Sequence, residues 1–317
     1  MGLKVVALAG GVGGAKLVDG LAACLDPDEL TIIVNTGDDF THLGLRISPD
    51  LDTVTYTLAG IADPERGWGR VDESWNFLET LADLGGPTWF RLGDRDLALH
   101  HFRTQRRERG EPLSTITRDL RELLGIAHSI LPMSDDRVQT IVVTEHGDLP
   151  FQKYFVAQRC EPVVQRFHFK GIEDARPAPG VLEALEAADF VILCPSNPWV
   201  SLDPILAVAG IRTRLKHKPV SMVSPIIAGK TVRGPAAKMY SELGIEPSAL
   251  AVARHYQDLL AGIVIDEQDS HMAPEIEALG MRVSLQQTLM LTRKLRIQLA
   301  QSLIEFTRSS LVKETSK

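Results

Sequence analysis

Continuous apolar runs alternate along the chain with segments of helical periodicity. Residues 4–9 form a short β-branched and aliphatic run ending in glycine, and residues 15–25 follow with Leu17, Leu21 and Leu25 at helical spacing. Residues 30–35 (LTIIVN) repeat the strand pattern. Strand, helix and strand in that order predict a βαβ unit whose strands are parallel, because a crossover helix separates them. Further apolar runs at 140–144, 190–194, 220–223 and 262–265 stand near helical segments such as 181–188 and 204–215. Together they predict a Rossmann-like, doubly wound α/β core with a mainly parallel sheet of about five to seven strands.

Between residues 63 and 125 the pattern changes. Polar, Trp- and Arg-containing stretches at 73–84, 97–109 and 114–124 have helical character and no strand signal. The expectation is a helical insertion (63–125) capping a core built from residues 1–62 and 126–317. Residues 285–306 carry Leu289, Leu291, Leu295, Leu299, Leu303 and Phe306 at helical spacing, which predicts a C-terminal helix packed on the core in preference to one awaiting a partner helix.

At 317 residues the chain exceeds one typical domain, so a second domain or a sizeable insertion is expected. With 44% hydrophobic and 24% charged residues it is neither disordered nor fibrous. A net charge of −7 without a long Lys/Arg block argues against a nucleic-acid groove. Cys24, Cys160 and Cys194 are far apart and form no CxxC pair, which suggests neither a disulfide framework nor a zinc site. The first apolar run is too short for a signal peptide, and no segment has the roughly 18 uninterrupted apolar residues that span a bilayer. A cytoplasmic protein with no membrane partner is expected.

Gly10, Gly11, Gly13 and Gly14, followed by Lys16, stand where the first strand meets its helix. Backbone N–H groups and the helix N-terminus approach an anion there without Cβ hindrance, so a phosphate is the natural guest, although a tight strand-to-helix turn also explains glycines. The loop is not a dinucleotide fingerprint, since Lys16 holds the third glycine position, nor a Walker loop, since no GK[ST] follows. Asn35 and Thr36 stand where an NAD(P)-dependent oxidoreductase ends its second strand in an acid, which weighs against that class.

Asp38 and Asp39 follow the second strand, and Asp50 and Asp52 come shortly after, beyond the strand ends where open α/β sheets bind ligands. Carboxylates beside a phosphate loop suggest Mg²⁺, which takes one or two carboxylates together with phosphate oxygens and water. Helix capping is the plain alternative for Asp50 and Asp52, as a helix can begin at Thr53. Arg91, ahead of LGDRD (92–96), suits bidentate phosphate contacts or a surface ion-pair cluster. Ser196 and Asn197 follow one strand run, and Gly229 in SPIIAG follows another, making a plausible anion- or base-binding wall that turn chemistry explains equally well. The histidines, His100 and His101 included, show no metal-ligand spacing, and no GxSxG elbow supports covalent catalysis.

Read together, AGGVGGAKLVDGL (9–21), VNTGDDF (34–40), ISPDLDTVTYTLAG (47–60), LGDRD (92–96), LPMSDD (131–136), PSNP (195–198), SPIIAG (224–229), GPAAK (234–238), YQD (256–258) and IDEQD (265–269) form an ordered set over nearly the whole chain. The chain resembles the 2-phospho-L-lactate transferase family of deazaflavin coenzyme F420 biosynthesis. The resemblance implies transfer of a phospholactyl or phosphoenolpyruvyl group from a guanylyl diphosphate-linked donor to the ribityl hydroxyl of the deazaflavin Fo, releasing GMP with Mg²⁺ assistance, in a homodimer. It implies that Asp52 and Arg91 contact Fo. Gly10, Gly11, Gly13, Gly14, Lys16, Ser196, Asn197 and Gly229 then line the donor, Asp38, Asp39 and Asp50 are metal candidates, and Asp50 or Asp52 orients or deprotonates the hydroxyl. Gly13, Gly14 and Ala15 depart from the Thr-Pro that many relatives carry before the lysine, which leaves the donor's acid open. A nucleotide-sensing regulator on the same scaffold is the alternative.

Overall fold

The structure, a computed structural model, describes residues 2–232 and 234–310. Strand β1 (Val5–Ala9) is buried throughout, with Val6 and Leu8 feeding one hydrophobic cluster and Val5, Ala7 and Ala9 the other. A strand covered on both faces requires the unbroken apolar run seen in the sequence. Helix α1 (Gly11–Ala22) carries the chain to β2 (Leu30–Val34), which pairs parallel with β1. A hairpin of β3 (Phe40–His42) and β4 (Leu45–Ile47) leads into α2 (Pro49–Leu58). The polar stretch forms α3 (Asn76–Asp83), α4 (Asp94–Glu108) and α5 (Leu113–Leu123), after which β5 (Ser129–Pro132) joins the sheet beside β2.

Strands β6 (Gln139–Thr144), β7 (Gly147–Pro150) and β8 (Val164–Lys170) make a separate antiparallel sheet. The run at 140–144, expected in the main sheet, belongs to this one instead: the short turn at Glu145 and His146 folds β6 back on β7, where a parallel neighbour would need a crossover. The chain continues through α6 (Val181–Ala187), β9 (Phe190–Leu193), α7 (Asp203–Ala207), α8 (Ile211–Leu215) and β10 (Val220–Val223). The small hairpin β11 (Ile226–Ile227) and β12 (Lys230–Thr231), α9 (Ala236–Glu242), α10 (Ala249–His255), β13 (Gly262–Asp266), α11 (Ala273–Glu277), β14 (Arg282–Gln286) and α12 (Arg293–Ser310) follow.

The central sheet has seven parallel strands in the order β14-β13-β10-β9-β1-β2-β5. It grows one way from β1 through β2 to β5 and the other way from β9 onward, so a crevice opens between β1 and β9 at their C-terminal ends. The C-terminal helix begins later than the leucine spacing suggests. Leu285 lies in β14, and Leu289 and Leu291 lie in the connection to α12. Thr288 fixes that connection by donating its N–H (2.9 Å) and Oγ1 (2.8 Å) to Asp266 Oδ2. α12 packs on α1 at Gly20, where a Cβ would collide with the Arg296 carbonyl. Among the described residues no helix is long and apolar enough to cross a membrane.

Candidate functional site

The loops after β1 and β9 meet because their strands are neighbours. Ser196 Oγ donates to the Gly10 carbonyl (2.7 Å) and accepts from the Gly10 N–H (3.1 Å). Close approach explains the glycines here. A Cβ on Gly14 would lie 2.6 Å from Ser196 Oγ, and one on Gly13 would collide with the Pro195 carbonyl. Asn197 Oδ1 accepts from the Trp199 N–H at 3.1 Å and so holds the next turn.

α2 starts at Pro49, ahead of Thr53, which puts Asp50 and Asp52 inside its first turn, where the helix dipole favours negative charge. Two residues apart on a helix, they point roughly 200° apart. Asp50 faces the crevice: it accepts from the Gly11 N–H (2.7 Å) and from the Asn35 amide (2.9 Å). The same amide donates to Asp38 at 3.2 Å, and Gln152 donates to the other Asp38 oxygen at 2.8 Å. Burial pushes the Asp50 carboxyl up to about 6, against the hydrogen bonds from Asn35 and Gly11. Burial, with the charges of Asp50 and Asp39 added to it, raises Asp38 well above the usual carboxylate range.

Asp52 faces the opposite way. It receives Arg103 of α4 in a forked ion pair, Nη1 to Oδ2 at 3.1 Å and Nη2 to Oδ1. His100 Nε2 lies 3.3 Å from Asp96, whose Oδ1 also receives the Tyr56 hydroxyl. Asp39 accepts from Ser48 Oγ at 2.7 Å, and its buried Oδ1 has no partner among the described residues.

A cavity of about 630 Å³ opens on the crevice. Gly10, Gly11, Gly13, Lys16, Asp38, Asp50, Arg91, Ser196 and Asn197 all line it. Gly14 lies behind the loop against Ser196, and Asp39 and Asp52 lie outside the lining. Gly229 lies outside it as well: with Ala228 it forms the left-handed turn of the β11–β12 hairpin (φ 73° and 47°), pinned where Asp269 accepts from the Ala228 N–H at 3.1 Å. Ile227, Thr231 and Pro235 present that segment to the cavity instead.

The aromatic wall and the amides carry no local sequence pattern that announces them. Trp68, Trp89, Phe90, Phe151 and Phe155 all line the cavity. Phe40 meets Phe90 edge-on (4.8 Å between centroids) and His42 meets Trp89 (5.0 Å), which pins the 89–91 segment between α3 and α4 to the β3–β4 hairpin. Arg91 is exposed, with its guanidinium 4.7 Å over the Trp75 ring. Asn35 and Gln152 hold the two cavity carboxylates, yet their only sequence signal was an amide ending β2 where a dinucleotide site carries an acid.

No group of three or more His, Cys, Asp or Glu side chains among the described residues is arranged as a metal cage. Asp38 and Asp50, whose like charges are held close together, fit instead the two-carboxylate share that Mg²⁺ takes when substrate phosphates and water supply the rest.

A family model described as 2-phospho-L-lactate transferase CofD matches residues 5–297. The phosphoenolpyruvate transferase of Streptomyces griseus is 46% identical over 288 residues, covering 88% of this chain and 91% of that protein. The 2-phospho-L-lactate transferase of Methanosarcina mazei is 40% identical over 301 residues, covering 95% and 99%. A solved Bacillus halodurans protein of the UPF0052 family shares the fold, with a TM-score of 0.61 at 16% identity over 96% of this chain and 99% of that one. With the matched region spanning all seven sheet strands, the chain belongs to the 2-phospho-L-lactate transferase CofD family.

Proposed function

We propose that the cavity binds a guanylyl diphosphate-linked donor and the deazaflavin Fo, and transfers the donor's acid-bearing phosphoryl group, phospholactyl or phosphoenolpyruvyl, to the ribityl hydroxyl of Fo. One observation carries this reading: a single cavity is lined at once by a glycine loop with Lys16, by two buried carboxylates, and by an aromatic wall with Arg91. Backbone N–H groups and a lysine suit a diphosphate, and flat aromatic side chains suit a flat ring system.

In the reaction the Fo hydroxyl oxygen bonds to the phosphorus that carries the acid, and the bond from that phosphorus to the bridging oxygen breaks, releasing GMP. Asp50 lies on the crevice side of α2, where it orients that hydroxyl for attack, and the hydroxyl proton leaves to a non-bridging phosphate oxygen or to solvent. Asp38 and Asp50 would hold the Mg²⁺, which supplies neutralisation of phosphate charge when bound. The glycine loop and Ser196 keep the phosphate-facing backbone fixed, so that positioning does much of the work. Asp52 acts at one remove, docking α4 and the segment bearing Arg91 onto α2.

The test is a coupled assay with purified protein, Fo, Mg²⁺ and each donor, following GMP release and product mass. Stoichiometric GMP and a phosphodiester of Fo from either donor support the reading. Nucleotide binding without turnover of either donor overturns it in favour of a sensor.

A further inference from the structure

A second cavity of about 320 Å³ lies between α1, α2, the 60–69 loop and the start of α12. Val12, Lys16, Thr53, Gly67 and Trp68 line both it and the main cavity, so the two share a wall at the glycine loop. Its character differs from that of the main cavity: Lys16, Arg293 and Arg296 face it, with Asp19 and Asp63. Asp19 accepts from Arg293 Nε at 3.3 Å and from Arg296 Nη1 at 3.1 Å. Arg296 Nε is buried and has no partner among the described residues. A buried donor left unpaired costs free energy that an acceptor arriving with a ligand recovers.

The chemistry of the transfer requires a third arm. The attacking and leaving oxygens stand roughly in line across the reacting phosphorus, so the oxygen bearing the three-carbon acid is equatorial and projects sideways. On the transferase reading, the main cavity takes the in-line pair, acceptor and nucleotide. The acid needs a lateral pocket beside the phosphate loop that ends in cations.

We propose that the second cavity is the subsite for the donor's three-carbon acid, whose carboxylate is received by Arg296, while Lys16 stays on the wall shared with the diphosphate. This rests on the transferase reading above. Its volume stands at the small end of ligand pockets, in keeping with a short acid. Thr57, half-buried on α2, lines this cavity and not the main one, and helps set its width.

The experiment measures donor KM, GDP affinity and melting temperature for the wild type, Arg296→Gln and Thr57→Leu, with the natural donor and with an analogue in which an alkyl group replaces the carboxylate. Loss of a charge-assisted hydrogen bond predicts a rise of about tenfold or more in donor KM for Arg296→Gln, with GDP affinity unchanged, because GDP carries no acid. The alkyl analogue is expected to be a poor donor for the wild type and no poorer for Arg296→Gln. Thr57→Leu, which leaves the Asp19 pairs intact, is expected to raise donor KM and to spare GDP affinity as well. A wild type that turns over while both variants keep its donor KM, or variants that lose GDP affinity in proportion, overturn the subsite and leave the transferase standing. A wild type that binds GDP but turns over no donor removes the transferase reading and the subsite with it.

Discussion

Asp50 and Asp52 stand two residues apart in the same helical turn, both almost fully buried, and they live in opposite electrostatic worlds. Asp50 is held by neutral donors, a backbone N–H and an amide, and burial raises its carboxyl to about 6. Asp52 is held by a guanidinium in a fork. Its neighbour Asp96 makes the same point: burial alone would raise that carboxyl, yet His100 and the Tyr56 hydroxyl hold it below the ordinary range. A carboxylate held only by neutral donors keeps capacity for a cation or a proton, whereas one saturated by a guanidinium is a structural joint. On the proposed function, the two sides of α2 divide the labour between chemistry and docking.

Breaking the chemical side produces the largest effect. Asp50→Asn is expected to lower kcat by about a hundredfold or more while the protein stays folded, as steady-state GMP release with circular dichroism on the same samples will show. Breaking the docking side is felt in stability. Arg103→Met strands the buried Asp52 carboxylate and should cost about 3–5 kcal/mol in urea unfolding, whereas adding Asp52→Leu to it should recover most of that loss.

The third prediction sharpens the contrast through pH. A carboxyl at about 6 in the folded protein and 3.8 unfolded binds a proton that the unfolded chain has already released. Its contribution to stability is therefore fully present below about pH 4 and lost as pH rises through about 6, a change of about 3 kcal/mol. Unfolding of the Mg²⁺-free wild type and of Asp50→Asn across that range should show the variant gaining relative to the wild type as pH rises. A constant difference would mean that Asp50 is not raised.

The chain made the parts with a local signature readable. β1 and β9 are unbroken apolar runs, and β2, β10 and β13 each carry a single polar residue, because both faces of a central parallel strand are covered, and the glycine loop announces itself by composition. The two outermost strands, β5 (SILP) and β14 (RVSLQ), escaped notice because an edge strand is covered incompletely and keeps polar or half-exposed positions. The fate of Asp52 was hidden twice over. It depends on α2 starting at Pro49 instead of Thr53, which sets the helix phase, and on a partner 51 residues away. A trace of that partner was present, since Asp96, His100 and Arg103 recur at helical spacing and mark one face of an otherwise polar helix. The aromatic wall gathers rings from the 60–69 loop, the segment between α3 and α4 and the segment after β7, a convergence that no local pattern encodes.

The most direct test of this division is kcat at saturating Fo and donor for Asp50→Asn beside the double variant Asp52→Leu/Arg103→Met, each verified as folded. Near-complete loss of turnover is expected in the first and turnover within severalfold of wild type in the second. A folded double variant that is inactive beside an active Asp50→Asn would place the chemistry on Asp52 and contradict that division.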